Sequence, residues 1–185
     1  MEKNYSALGL MSGTSMDGVD ASVIQSNGDS NYKALFNKYY KYNDELFKNL
    51  SNTRDKVNSS KDMLKMSNEI KYLEKEITIF HAKISNDIIK NSELNIDFIG
   101  FHGQTIFHNV KEKISKQLGD GNLLSQLTKK KVIYDFRQND LKNGGEGAPL
   151  TPIYHKLLVE QNMIKTPITI LNIGGIANVT HLDQN

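Results

Sequence analysis

A chain of 185 residues with 38% hydrophobic residues is long enough to bury one sizeable core and too apolar for a disordered tail. Its formal net charge of +2, from 23 lysines and arginines against 21 carboxylates, points to no strongly acidic or basic partner. The absence of cysteine excludes disulfides, thiolate catalysis and cysteine-rich zinc sites. No apolar run reaches membrane-spanning length, and the first residues lack the pattern of a signal peptide, so a cytoplasmic protein with no membrane partner is expected. Lysine supplies nearly all the positive charge, and only Arg54 and Arg137 are arginines. The short Lys129-Lys130-Lys131 run reads as a solvated strand edge, and no nucleic-acid partner is expected.

Taken in order, Ser6 to Leu10 forms a short apolar strand, Met11 to Gly18 a small polar turn, and Val19 to Gln25 a second strand. After an Asn27-Gly28-Asp29 turn, the aromatic stretch Tyr32 to Tyr42 makes a third, so the chain opens with three antiparallel strands. Asn43 to Asn58 reads as helical. Ile70, Leu73, Ile77, Phe80, Ile84 and Ile88 fall on one face of a helix, and Ser59 with Asp62 resembles a capping box, predicting one long helix over 60–91. Ile96 to His102 is an apolar strand ending in His102-Gly103-Gln104-Thr105. A short helix over 121–128 and a strand over 132–136 follow, the latter ending in Asp135-Phe136-Arg137. The glycine-rich loop Asn143 to Leu150 leads into a helix with Thr151 as N-cap and Pro152 in its first turn. Ile168 to Ile173, Gly174-Gly175 and Ala177 to Leu182 then form a strand-turn-strand unit.

The pattern predicts an α/β lobe. Its mixed sheet has three antiparallel strands and then parallel ones, with helices on both faces. The closing ITILNIGGIANVTHL echoes the opening ALGLMSGTSMDGVDASVI in its strand-glycine turn-strand form. A hairpin alone cannot bury its faces. The expected division is therefore a first lobe over 1–165 and the truncated start of a second lobe over 166–185.

Five segments are candidates to carry chemistry, most of them beside a plainer structural reading. Gly13 to Gly18 could cradle phosphate through backbone N–H groups and two hydroxyls, with Asp17 holding a cation through water, or it is simply a hairpin turn. Val19 and Asp20 follow where a P-loop needs lysine and then serine or threonine, so it is no Walker motif. His102 and Gln104 could bind a polar ligand at a strand end, or form a loop with a satisfied histidine; His102 and His108 make no convincing metal site. Arg137 offers a bidentate fork in a lysine-rich chain, or pairs with Asp140 on the surface. The Gly144 to Leu150 loop stands before a helix N-terminus and favours a polar or anionic ligand. Gly174, Gly175 and Asn178 could hold the other end of a phosphate chain bound at the first hairpin, or form a simple turn, and His155 reads as structural or solvent-facing.

Together, Met11-Ser12-Gly13-Thr14-Ser15-Met16-Asp17-Gly18-Val19-Asp20, His102-Gly103-Gln104-Thr105, Asp135-Phe136-Arg137 with Gly147-Ala148-Pro149-Leu150, and Asn172-Ile173-Gly174-Gly175-Ile176-Ala177-Asn178 resemble the anhydro-N-acetylmuramic acid kinases in order and spacing. The resemblance implies an actin-like (ribonuclease H-like) fold of two lobes. It implies ATP with Mg²⁺, and opening of the 1,6-anhydro ring by water with phosphorylation at O6, a step in recycling bacterial cell-wall sugars. It carries Gly13, Thr14, Ser15, Met16, Asp17, Gly18, Val19 and Asp20, with Gly174 and Gly175, onto the nucleotide site, and Asp17 onto the metal. His102, Gln104, Arg137, Gly147, Ala148 and Pro149 go onto the sugar cleft. The family's catalytic aspartate lies in an Asp-x-Gly-Pro-Gly segment, and none of Pro149, Pro152 and Pro167 follows a glycine. The chain alone is therefore expected to be inactive. Its expected partners are the sugar and the missing C-terminal half, in cis or trans, and a homodimer is compatible with the resemblance.

Overall fold

The computed structural model describes residues 3–174 and 176–183. Strands β1 (Tyr5–Ser12), β2 (Gly18–Ser26) and β3 (Tyr32–Lys41) form the expected antiparallel meander. Alternation sets its register: Leu8 lies opposite Val23 and Leu10 opposite Ala21, and all four are buried on one face. The β2–β3 turn is tied by Asn27, whose Oδ1 accepts from the N–H groups of Asp29, Ser30 and Asn31 at 3.1 Å each.

Helix α1 (Asp44–Lys56) begins where Asn43 Oδ1 accepts the Leu46 N–H at 2.7 Å, and Asp44 and Glu45 complement the positive end of its dipole. The single helix expected over 60–91 is divided into α2 (Ser60–Lys65) and α3 (Ser67–Asn91), because Met66 leaves helical geometry at φ −97°, ψ 18°. The capping box is present: the Asp62 N–H donates to Ser59 Oγ at 3.2 Å, and the Asn58 N–H to Asp62 Oδ2, also at 3.2 Å. On α3, Ile70, Leu73, Ile77, Ile84 and Ile88 are buried against the sheet and neighbouring helices. Each such side chain contributes about 2 kcal/mol of hydrophobic transfer energy.

Strand β4 (Phe98–Asn109) runs parallel to β1 and is longer than the apolar stretch ending at His102. Its extension pairs antiparallel with β5 (Ile114–Leu118), a strand the sequence reading lacked because its polar residues give little alternation. Helix α4 (Gly121–Thr128), capped by Asp120, returns the chain to β6 (Lys131–Tyr134), parallel to the first half of β4. The sheet order is β3-β2-β1-β4, with β5 and β6 sharing the outer edge of β4. Lys129 closes α4 in the left-handed region at φ 57°, and Lys130 Nζ donates to the Ile96 carbonyl at 2.7 Å, so the lysine run is partly structural.

Helix α5 (Phe136–Lys142) replaces the last residues of the expected strand, because Asp135 turns the backbone at φ 63°. Helix α6 (Pro152–Gln161) has its first-turn proline, but Thr151 makes no side-chain cap. Helices α1, α3 and α4 cover the face carrying Leu8, Leu10 and Val23. On the other face Phe136 of α5 reaches Gly100 and Tyr154 of α6 touches Tyr32, their ring centroids 5.3 Å apart. An apolar trough of about 330 Å³ lies there over Gly9 and Gly100. Strands β7 (Ile168–Asn172) and β8 (Asn178–Leu182) make a separate two-stranded antiparallel sheet, joined to α6 where His155 Nδ1 meets Thr180 Oγ1 at 2.7 Å. The six-stranded unit has the architecture of an actin-like lobe. No helix among the described residues is long and apolar enough to cross a membrane.

Candidate active site

Parallel β1, β4 and β6 end at the same edge of the sheet, so the segments that follow them converge there. The pairing of Ser12 with Gln104 puts the first turn beside His102–Thr105, and the pairing of Phe101 with Tyr134 brings Asp135–Arg137 beside His102.

The turn between β1 and β2 is pinned from below. Met16 takes the left-handed conformation at φ 60°, its side chain is fully buried, and its N–H donates to the Gly13 carbonyl at 3.2 Å. Val19 is also buried, so Met16 and Val19 can offer a ligand only backbone, whereas Thr14, Ser15, Asp17 and Asp20 are exposed. Gly18 admits no side chain: a Cβ there would lie 2.4 Å from the Tyr40 carbonyl oxygen and 2.7 Å from the Tyr39 ring and hydroxyl. The Ser15 hydroxyl bonded to the Asp17 carboxylate, with Tyr39 and Lys41 adding, holds that carboxyl below its ordinary range. Asp17 is thus charged and open to solvent.

Beneath the turn, Gln104 is fully buried. Its Nε2 donates to the Gly13 carbonyl at 2.9 Å, and its Oε1 meets the Ser12 hydroxyl. Tyr42 donates to Ser12 Oγ at 3.0 Å, and burial raises the Tyr42 phenol well above its usual value.

His102 Nδ1 lies 2.7 Å from the Gly103 carbonyl, so this nitrogen carries the proton, and Nε2 accepts from Arg137 Nε at 2.8 Å. Burial, followed by the nearby guanidinium, lowers the His102 pKa to about 4, which keeps the ring neutral. Arg137 Nη1 donates to the Gly147 carbonyl at 2.8 Å, while Nη2 has no acceptor among the described residues. Asp140 does not pair with Arg137; it accepts the Gly147 N–H at 2.8 Å and so ties the glycine-rich loop to α5. Gly147 sits at φ 72°, where a Cβ would press on His108 and Leu141 at 3.1 Å. Ala148 is half-buried and Pro149 exposed beyond it. Gly174 is exposed in the β7–β8 turn, and Gly175 lies outside the described residues.

The sequence model of the anhydro-N-acetylmuramic acid kinases matches residues 5–185. The chain belongs to the anhydro-N-acetylmuramic acid kinase family. It is 63% identical to the kinase of that name from Pelagibacter ubique (strain HTCC1062), over 97% of this chain and 48% of the relative. It is 40% identical to that of Gluconobacter oxydans (strain 621H), over 96% and 48%, and 36% identical to that of Brucella canis, over 97% and 49%. The chain thus spans about half the length of these curated relatives.

For an anhydro-N-acetylmuramic acid kinase, the donor set at the first turn suits a hydrated Mg²⁺ held by one or two carboxylates and by phosphates, since Asp17 is charged and exposed and the exposed Asp20, like Asp17, acts on Tyr39. No group of three or more metal-ligating side chains occurs among the described residues. Several residues at this edge were given no ligand role from the sequence. Arg54, from α1, donates to the Thr14 carbonyl at 3.3 Å, so each of the two arginines touches a candidate ligand loop. Tyr39 stands over Gly18 beside Asp17, Ser12 and Tyr42 lie under the turn, and His108 abuts Gly147. Only the rarity of arginine could have drawn attention to Arg54, since the others depend on strand pairing.

Proposed function

We propose that this chain forms the phosphate- and sugar-binding lobe of a kinase that converts 1,6-anhydro-N-acetylmuramic acid, ATP and water to N-acetylmuramic acid 6-phosphate and ADP. The observation that supports this is the convergence, on one sheet edge, of an exposed turn with a charged Asp17 and a neutral His102 paired with the Arg137 guanidinium, which keeps a spare nitrogen. In this reading the 13–20 turn binds ATP phosphates. Asp17 would hold Mg²⁺ through water, and the ion, when bound, would supply charge neutralisation for phosphoryl transfer. Arg137 presents Nη2 to the sugar, oriented by His102 and the Gly147 carbonyl, while the 147–149 loop closes beside it.

The aspartate that activates the attacking water belongs to the second half of the protein, which also completes the site around Gly174 and Gly175. The β7–β8 hairpin begins that second lobe, and its exposed Leu171, Ile173, Ile176 and Val179 are surface for it to cover. The 185-residue chain alone is expected to be inactive. The test is to combine it with a separately produced C-terminal half of a related kinase, anhydro-sugar, ATP and Mg²⁺, and to follow the 6-phosphate. Product from the mixture and none from either half supports the proposal. Product from this chain alone overturns the placement of the catalytic aspartate. A demonstrated complex that makes no product favours a lobe that has lost catalysis.

A further inference from the structure

The buried amide of Gln104 has a consequence for the turn above it. The Gly13 carbonyl receives two hydrogen bonds from within the protein, from Gln104 Nε2 at 2.9 Å and from the Met16 N–H at 3.2 Å. It therefore points down into the protein. In a trans peptide the C=O and the following N–H point in opposite directions. The Thr14 N–H is thereby directed up and out of the fold, and it has no partner among the described residues. The carbonyls fix the orientation of the Gln104 amide, because reversing it would set its oxygen against the carbonyl oxygens of Gly13 and Thr105, which its nitrogen meets at 2.9 and 3.4 Å. Ser12 and Tyr42 fix the other end of the amide, and all three side chains are almost completely buried. A ligand at the sheet edge cannot reach Gln104 without displacing these bonds.

We infer that Gln104 is a positioning residue for the phosphate turn: by holding the Gly13 carbonyl inward, it aims the Thr14 N–H at a phosphate oxygen rather than contacting the sugar itself. This inference rests on the phosphate reading of the 13–20 turn. It also explains how β4 serves two subsites. Its half-buried His102 faces Arg137, while Gln104, two residues on, braces the turn of the neighbouring strand. An unpartnered N–H held in place before the anion arrives is the preorganised donor that phosphate binding uses.

The experiment compares the parent chain with Gln104→Met, which keeps length and removes both polar atoms. Each is ¹⁵N-labelled and titrated separately with Mg·tripolyphosphate and with 1,6-anhydro-N-acetylmuramic acid. In the parent, tripolyphosphate should shift the Thr14 amide. In the variant its affinity should fall about tenfold or more, the scale of one charge-assisted hydrogen bond, while the sugar response at Arg137 is unchanged. Should the variant not fold, the Gln104 side-chain amide signals of the parent serve instead: they should move with tripolyphosphate and stay still with sugar. Loss of sugar binding with tripolyphosphate binding retained, or Gln104 signals that follow the sugar, overturns the inference. A parent whose Thr14 amide ignores tripolyphosphate overturns the phosphate reading of the turn, and the role of Gln104 falls with it.

Discussion

Replacing His81 with phenylalanine isolates the contribution of one buried imidazole to acid sensitivity. His81 lies fully buried on α3, with Nδ1 2.8 Å from the Ile77 carbonyl, so Nδ1 carries the proton and Nε2 has no partner among the described residues. Its ring stands edge-on to Phe101, the centroids 4.9 Å apart, and burial lowers its pKa from 6.5 to about 4. A depressed histidine makes the unfolded chain bind more protons than the folded one between these two values. Stability therefore falls as pH drops through that window, by about 3 kcal/mol in all for His81. His102 shifts the same way, also to about 4, and burial with the nearby Arg137 guanidinium lowers His108 as well, so the parent should weaken along a slope with three contributors. The lowered carboxyls of Asp17 and Asp62 lose their contribution only below 3.8, beneath this window. His81→Phe preserves an aromatic ring of similar size among Phe80 and Phe101 and removes both the orphaned nitrogen and the titration. Its stability near pH 7 should stay within about 1 kcal/mol of the parent, while its advantage should grow to about 3 kcal/mol near pH 4. Urea unfolding followed by circular dichroism at several pH values across the window measures this. Parallel pH profiles for parent and variant would refute the assignment of that proton uptake to His81.

Two further outcomes concern the candidate ligands. Asp17→Asn removes an exposed charge whose contribution to the fold is screened by solvent, so thermal stability should fall only slightly while Mg·ATP affinity in the completed kinase, read by calorimetric titration, weakens about tenfold; equal affinity would remove Asp17 from the metal site. Arg137→Lys keeps the charge but cannot span His102 Nε2 and the Gly147 carbonyl together, so sugar affinity should drop by about 1.5–3 kcal/mol with ATP affinity held; unchanged sugar affinity would leave Arg137 as a brace for its loop.

Much of the architecture was legible in the sequence because it follows from local periodicity. Leu8, Leu10, Val19, Ala21 and Val23 alternate, and Ile70 to Ile88 repeat at helical spacing, so the opening meander and α3 are written in the order of residues. The candidate ligand segments stood out for a related reason: glycines, hydroxyls and a rare arginine cluster where strands stop. The elements without periodic signal were missed. The polar β5 exists because the second half of β4 needs a partner, and α5 starts where Asp135 turns the chain, a change that no propensity in Asp135-Phe136-Arg137 dictates. Only the tertiary structure separated the two neighbours in His102-Gly103-Gln104. The sequence made both candidate sugar contacts, whereas the fold turns His102 to Arg137 and buries Gln104 under Gly13. It likewise brought Arg54 to Thr14 across 40 positions, and set Ser12, Tyr42 and Gln104 in one network across 92. The physical reason is that side-chain periodicity reports which face of an element is buried, while hydrogen-bond partners are chosen by strand pairing and close packing between distant segments, which residue order along one element does not encode.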